Sequence, residues 1–414
     1  MGGVRLFGMP RYRPWIIAAF LVLLVLVAMV PASTTAFQYV HHWRVSFSGT
    51  MVIGGNQTLT ITPYWDYIGN TSWQTCEQLS FEFKHNNDTI QPINIGIDND
   101  GNPRMRLNIT TQLQPHDSIQ WQEEWLFTVL DHRPSLPQIS VAQAGTIDES
   151  EVQLGSDNYL WYTRATSLWK ARNISLMNLA ASIRDDLSNS TQNNVLALVY
   201  AAIQWIQSNI LRSTGLTEPQ YPEEVIVSQI GDCDDQSNLL ITLLRIYGIP
   251  SYLATGHWFQ EGARTNGFIW GSLIENAYLY VDWKNSIGHG WAMVFVPPWG
   301  WLPFDLTANG IGAHPSKTYY DSLYASNLPF VQLWQIVASD YIAARRAEYA
   351  NLFTYELHRT DFQEWKSLGS IPLVDFAYFA TNVATLIALI GTLAFLSCLV
   401  GFAIRRQPRE ELER

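Results

Sequence analysis

The stretch GDCDDQSNLLITLLRIYGIP, residues 231–250, sets Cys233 among Asp232, Asp234 and Asp235 where a helix begins. A thiol in the first turn of a helix faces backbone N–H groups without intrahelical partners and the positive end of the macrodipole, and both favour thiolate. The same N–H groups can stabilise an oxyanion formed when sulfur attacks a carbonyl. The aspartates act in the opposite direction, because nearby negative charge raises a thiol pKa. Such a cysteine needs a histidine to become a nucleophile. Of the nine histidines, His289 is the best placed, opening the apolar run HGWAMVFVP. Asp305, sixteen residues on, closes the next strand, GWLPFDLT, where a carboxylate could fix the imidazole's orientation and tautomer. A connecting loop of three or five residues puts both side chains on one face. A four-residue PPWG turn separates them unless a bulge intervenes. On position alone, a structural histidine and a strand-end cap are the alternatives.

Helical spacing of Leu239, Leu240, Leu243, Leu244 and Tyr247, with Gly248 and Pro250 as stops, defines the helix that carries the thiol. Upstream, LMNLAASIRDDL and NNVLALVYAAIQWIQSNIL also have helical periodicity, the second capped by Asn193 or Asn194. TEPQYPEEVIVSQIGDCDDQ reads as an irregular connector. Strand-like runs follow, SYLATGHWF, NAYLYVDW, GWAMVFVP and WLPFDLT. A helix followed by an antiparallel sheet packed on it is an α+β arrangement. Residues 38–150 alternate apolar and polar residues in short runs with turn signals, the pattern of a β-sandwich domain. Within them, INIGIDNDGNPRMRLNIT is a hairpin with its turn at Asp98–Pro103; Pro103 stands where a calcium loop needs glycine. The expected organisation is therefore a sandwich over 38–150, a catalytic domain over 157–312, and a mixed segment over 313–370 packing on that core.

The ends differ from the rest. Residues 376–404 run 29 positions without a charge and are followed by Arg405, Arg406 and Arg409, the signature of a transmembrane helix with a cytoplasmic tail at 405–414. At the N-terminus, a basic tail at 1–14 precedes an apolar segment, 15–36, that suits either a retained signal anchor or a cleaved signal peptide. Both readings place the intervening chain outside the cytoplasm, with both termini cytoplasmic if the first segment is retained. The first 14 residues carry +3 and the last ten +4 and −3, so the exported part holds −15 of the total −11, which argues against nucleic-acid partners. Six N-x-S/T sequons, at Asn56, Asn70, Asn87, Asn108, Asn173 and Asn189, all precede residue 190 and mark candidate glycosylation sites. The cysteines are Cys76, Cys233 and Cys398; with Cys398 in the apolar segment, a Cys76–Cys233 bridge is the one disulfide open to the exported part. No cysteine or histidine spacing suits zinc, and HHW at 41–43 is isolated, so neither metal nor other cofactor is expected.

Taken in order, Gly231, Cys233, Asp235, Arg245, Gly248, Ile249, Pro250, His289, Trp291, Trp301, Phe304, Asp305 and Thr307 resemble the transglutaminase-like superfamily, in its microbial membrane-anchored branch. That family opens its catalytic helix with Gly-x-Cys-x-Asp, ends it with Arg-x-x-Gly-Ile-Pro, and presents His-x-Trp and Trp-x-x-Phe-Asp-x-Thr on successive strands. The resemblance implies a papain-like core with Cys233 as nucleophile, His289 as base and Asp305 as orienter. It also implies thioester chemistry on a protein or peptide substrate bearing glutamine or another amide, ending in acyl transfer or in hydrolysis. The chain departs from the family in having Leu211 and Arg212 where an aromatic residue is common, and Gly290 where alanine is usual. Candidates for a second oxyanion donor are Trp205, Tyr221 and Gln229. The alternative function is a catalytically idle scaffold or binding module at the cell surface. Oligomeric state is left open.

Overall fold

The computed structural model describes residues 38–130, 139–213, 218–272, 276–307 and 330–373. The N-terminal half supplies strands β1 (Gln38–Ile53), β2 (Leu59–Thr60), β3 (Tyr64–Asp66), β4 (Gln74–His85), β5 (Asp88–Thr89), β6 (Pro92–Ile97), β7 (Pro103–Leu107), β8 (Gln112–Leu113) and β9 (Ser118–Leu130). Helices α1 (Ile147–Leu154), α2 (Ser156–Thr163), α3 (Ile174–Asp185) and α4 (Val195–Asn209) follow. Then come β10 (Leu211–Arg212), α5 (Pro222–Ser228), β11 (Ile230–Gly231) and α6 (Cys233–Tyr247). The C-terminal half contains β12 (Ser251–Ser272), β13 (Ala277–Val296), β14 (Gly300–Phe304), β15 (Phe330–Ile336), α7 (Tyr341–Thr354) and β16 (Leu357–Leu373).

The α+β expectation holds, but the β-rich N-terminal segment is not a self-contained sandwich. Its strands continue the sheet that carries the candidate site, in the order β15-β12-β13-β16-β1-β9-β4-β5, with β14 also paired to β13. The link is β16, antiparallel to β1 and parallel to β13. Long-range pairing of this kind leaves no local trace, and the alternating pattern of residues 357–373 reads as a tail when taken alone. A three-stranded sheet, β3-β7-β6, packs its Met105 and Leu107 against Phe83, Ile119 and Leu279 of the large sheet. The large sheet curls, since Tyr252 on β12 shares a core with Trp43 on β1 and Trp125 on β9, three and four strands along.

On the other side of β12 and β13, Leu253, Ala292, Val294 and Phe304 pack against a helical layer centred on α6. Its apolar residues Leu239, Leu240, Leu243 and Leu244 are fully buried, as their spacing requires. Gly248 at φ 82° ends the helix in the left-handed region, with Gly248 N–H donating to Arg245 O at 3.1 Å and Ile249 N–H to Leu244 O at 2.8 Å. Asn194 is the cap of α4, its Oδ1 accepting from Ala197 N–H at 2.9 Å. The connector before Cys233 is not irregular throughout: Pro222 at the first position and Glu224, whose Oε2 accepts from Tyr221 N–H at 2.8 Å, start α5. Seven residues are too few for a periodic signal to stand out. The hairpin expected around Asp98–Pro103 is present as β6 and β7.

Among the described residues no helix is long and apolar enough to cross a membrane. The segments expected to do so, 15–36 and 376–404, lie outside those residues, as do the tails 1–14 and 405–414 and Cys398.

Candidate active site

Asp232 and Asp235 form a reciprocal capping box that starts α6 and places Cys233 at its first helical position. The other edge of the site comes from β13. Its register leaves a gap: β16 covers one edge from Tyr278 to Lys284, and β14 covers the same edge from Ala292 to Val296. Residues 285–291 between them have no strand partner on that edge among the described residues. The first turn of α6 docks there. Ser237 Oγ donates to Cys233 O at 2.6 Å and lies 3.4 Å from Gly290 O, and the Gly290 N–H is near enough to the Cys233 sulfur to favour its charged form. Approach is close enough that a Cβ at Gly290 would stand 3.1 Å from Asp234 Cβ. Glycine here in place of alanine therefore lets helix and strand meet a few tenths of an ångström closer.

The strand loop resolves the parity question. Val296 pairs with Gly300, so the connection is three residues, and His289 and Asp305 fall on one face. His289 Nε2 lies 2.5 Å from Asp305 Oδ2. A carboxylate has no hydrogen to give, so Nε2 donates and Nδ1 keeps its lone pair. Asp305 is itself fixed: its Oδ1 accepts from Thr307 N–H at 3.0 Å and from Thr307 Oγ1 at 3.3 Å. Thr307, the last residue of the motif, thus fixes the Asp305 carboxylate. Trp258 covers the imidazole at 4.0 Å between centroids, leaving the His289 side chain 4% exposed. Gly256 sits directly opposite His289 on β12, where its Cβ would meet Val331 O at 1.8 Å. Sequence reasoning missed Trp258, because an aromatic residue in a strand looks like any core residue.

Cys233 and the His289–Asp305 pair therefore converge on one gap in the sheet, through Gly290. No hydrogen bond joins the sulfur to the imidazole among the described residues. Burial, followed by the charges of Asp234 and Asp232, pushes the Cys233 thiol well above its ordinary range, outweighing the Gly290 N–H. The helix terminus alone does not make a resting thiolate here.

The three oxyanion candidates make no hydrogen bond to Cys233 or His289 among the described residues. Tyr221 Oη donates to Asp340 at 3.1 Å, Trp205 packs against the helical core, and Gln229 is an exposed left-handed residue ending α5. Cys76 and Cys233 are both free thiols, so the one disulfide considered is not formed. Cys76 donates to Gly69 O at 2.9 Å, and burial raises it to about 11. Among the sequon asparagines, Asn56, Asn70, Asn87, Asn108 and Asn189 are exposed, while Asn173 is half-buried and caps α3. Among the described residues, Asp232, Cys233 and Asp234 present ligand atoms within 4.8 Å of one another, a grouping that could hold a metal ion. His41 and His42 of the HHW run are taken up by a stack on Trp43 and a hydrogen bond to Thr128.

The carboxylate cluster has a consequence for stability. Burial, with Asp234 next, raises Asp232 to about 9; burial, again with Asp234 next, raises Asp235 to about 6. Unfolded aspartates ionise at about 4. From there up to about pH 9 the native cluster retains protons the unfolded chain has released, so its contribution to stability declines as pH rises. The urea midpoint is expected to fall between pH 5 and pH 9, and Asp234→Asn to flatten that slope. A slope identical in the variant would exclude the cluster as its source.

The chain is 25% identical over 167 residues to the uncharacterized protein YebA of Bacillus subtilis (strain 168), a stretch that is 38% of this chain; the chain spans about a fifth of that relative's length. A candidate cysteine protease structure from Cytophaga hutchinsonii aligns with a TM-score of 0.41 and 16% identity, covering 81% of this chain and 89% of the other. A TGase structure aligns with a TM-score of 0.25 and 14% identity over 56% of each chain. Residues 181–306, which hold Cys233, His289 and Asp305 with the helix and strands that carry them, match the family model of the transglutaminase-like superfamily, so this segment is similar to a transglutaminase-like core.

Proposed function

We propose that the chain is a membrane-anchored, extracytoplasmic cysteine enzyme that forms a thioester with an amide-bearing protein or peptide. The convergence of Cys233 with the His289–Asp305 pair at the open edge of β13 carries this reading. Because the resting thiol is held neutral, the proton leaves as sulfur attacks, passing from Sγ to His289 Nδ1 while Asp305 holds Nε2. The C–S bond forms, and the carbonyl oxygen becomes an oxyanion beside the unpartnered N–H groups of α6. Collapse breaks the C–N bond, and the amine leaves with the proton from the imidazolium. Water or a second amine then resolves the thioester, giving hydrolysis or acyl transfer. For the anchor, the apolar segments 15–36 and 376–404 are supported by the pairing of Gln38 with Leu373, which puts both ends of the described body side by side. Sequons confined to residues 56–189 would leave the face of the transglutaminase-like segment open to a large partner.

The test is to incubate the full chain with a glutamine-containing peptide, with and without a biotinylated primary amine, and map adducts by mass. A thioester on Cys233, discharged to glutamate or to the biotinyl amide, is expected. Turnover that survives Cys233→Ala would sink the reading. The second reading, an idle surface module, draws on the raised thiol and the lack of a sulfur–imidazole hydrogen bond; it predicts no adduct with any peptide.

A further inference from the structure

Tyr341 lies outside the segment that matches the family model, at the first position of α7, yet its side chain reaches Asp234, the residue after the thiol. Its hydroxyl donates to Asp234 Oδ2 at 2.5 Å and accepts from Asn238 Nδ2 at 2.7 Å. Asn238 is fixed in turn, its Oδ1 accepting from Trp169 Nε1 at 3.2 Å. Cys233 Sγ lies 3.9 Å from the other oxygen of Asp234, a long and weak hydrogen bond from the thiol.

The segment leading to Tyr341 is anchored by a distant hairpin. Asp100, at the β6–β7 turn, accepts from the N–H groups of Val337, Ala338 and Ser339 at 2.9, 2.6 and 3.0 Å. Asn102 exchanges two hydrogen bonds with Gln335, both 2.8 Å. Asp340 then caps α7, accepting from Ala343 N–H at 3.0 Å. The hydroxyl is therefore held by elements on both sides of it.

We infer that Tyr341 is a positioning residue for Cys233: by holding Asp234 at its present distance it keeps that carboxylate from closing on the thiol hydrogen. A carboxylate hydrogen-bonded to S–H would stabilise the neutral form and add an undiminished charge next to the sulfur. The titratable groups around Cys233 are Asp232, Asp234 and Asp235 on its own helix end, His289 and Asp305 from the sheet, and Tyr341 from α7. Glu223 and Glu224 on the neighbouring α5 are paired with Lys170 and Arg346. Of these groups, Tyr341 is the neutral donor that restrains the nearest carboxylate. The inference rests on the reading of Cys233 as nucleophile.

The test is iodoacetamide labelling of the full chain between pH 6 and pH 10, quantified on the Cys233 peptide with the Cys76 peptide as internal reference. Tyr341→Phe is expected to slow labelling of Cys233 at pH 8 about tenfold, the scale of one lost charge-assisted hydrogen bond, and to move its profile to higher pH. Asp234→Asn is expected to speed labelling, and Tyr341→Phe added to it to change nothing further. An unchanged profile in Tyr341→Phe, or equal slowing in the Asp234→Asn background, overturns the inference; the second result would mean that tyrosine merely supports the fold. His289→Ala reports on the base separately. If it leaves peptide turnover intact, the nucleophile–base reading fails while the Tyr341 profile still decides its own question.

Discussion

His289→Ala is expected to lower the rate of thioester formation at Cys233 by on the order of 10³-fold, measured in a single turnover with an activated ester. The size follows from the resting state of the sulfur. Burial and two aspartates hold the thiol neutral, so the reaction depends on a base that removes the proton during attack. The Nε2 hydrogen bond to Asp305 leaves Nδ1 with its lone pair, and Trp258 keeps the ring from turning away. Asp305→Asn is expected to lower the rate in the same direction, because the amide can donate to Nε2 and move the hydrogen to Nδ1. Rates within twofold of wild type in both variants would remove His289 from the mechanism.

The largest effect on stability is expected at Arg245, where methionine should destabilise the fold by about 3–5 kcal/mol, read as a lower urea midpoint with unchanged slope. Arg245 is 3% exposed and makes no salt bridge among the described residues; its guanidinium is satisfied by carbonyls. Nε and Nη2 donate to Ser251 O at 3.1 and 2.7 Å, Nη1 to Arg164 O at 2.9 Å, and Nη2 to Val337 O at 3.1 Å. The plane also lies 4.0 Å above the Trp169 ring. Methionine fills much of the volume but leaves the buried carbonyls of Ser251 and Val337 and the part-buried carbonyl of Arg164 without this donor, each buried one costing about 1–3 kcal/mol before relaxation. The side chain ties the end of α6 to the start of β12 and to the residues preceding α7. A loss below about 1 kcal/mol would show that those carbonyls find other donors.

What could be read from the chain in advance was local. Leucine spacing and Gly248 set the extent of α6, because a helix end needs a left-handed residue and an apolar face needs a period of 3.6. Cys233, His289 and Asp305 could be nominated because the chemistry requires those types at a helix start and at neighbouring strand ends. Whether His289 and Asp305 met depended on the loop, and only the Val296–Gly300 pair decided that it has three residues. Glycine or proline signals mark a turn without counting its residues.

The rest was set by contacts distant in sequence. The expected sandwich became part of one sheet because β16 pairs with β1 across more than 300 residues, which no periodicity announces. The gap at residues 285–291 exists only because β16 and β14 cover neighbouring parts of one edge of β13. Tyr341 reaches Asp234 from 107 positions away. The thiol's protonation was the clearest division. Sequence alone established the two opposing influences on Cys233, helix terminus and aspartates, whereas burial, a property of the packed structure, decided which prevailed.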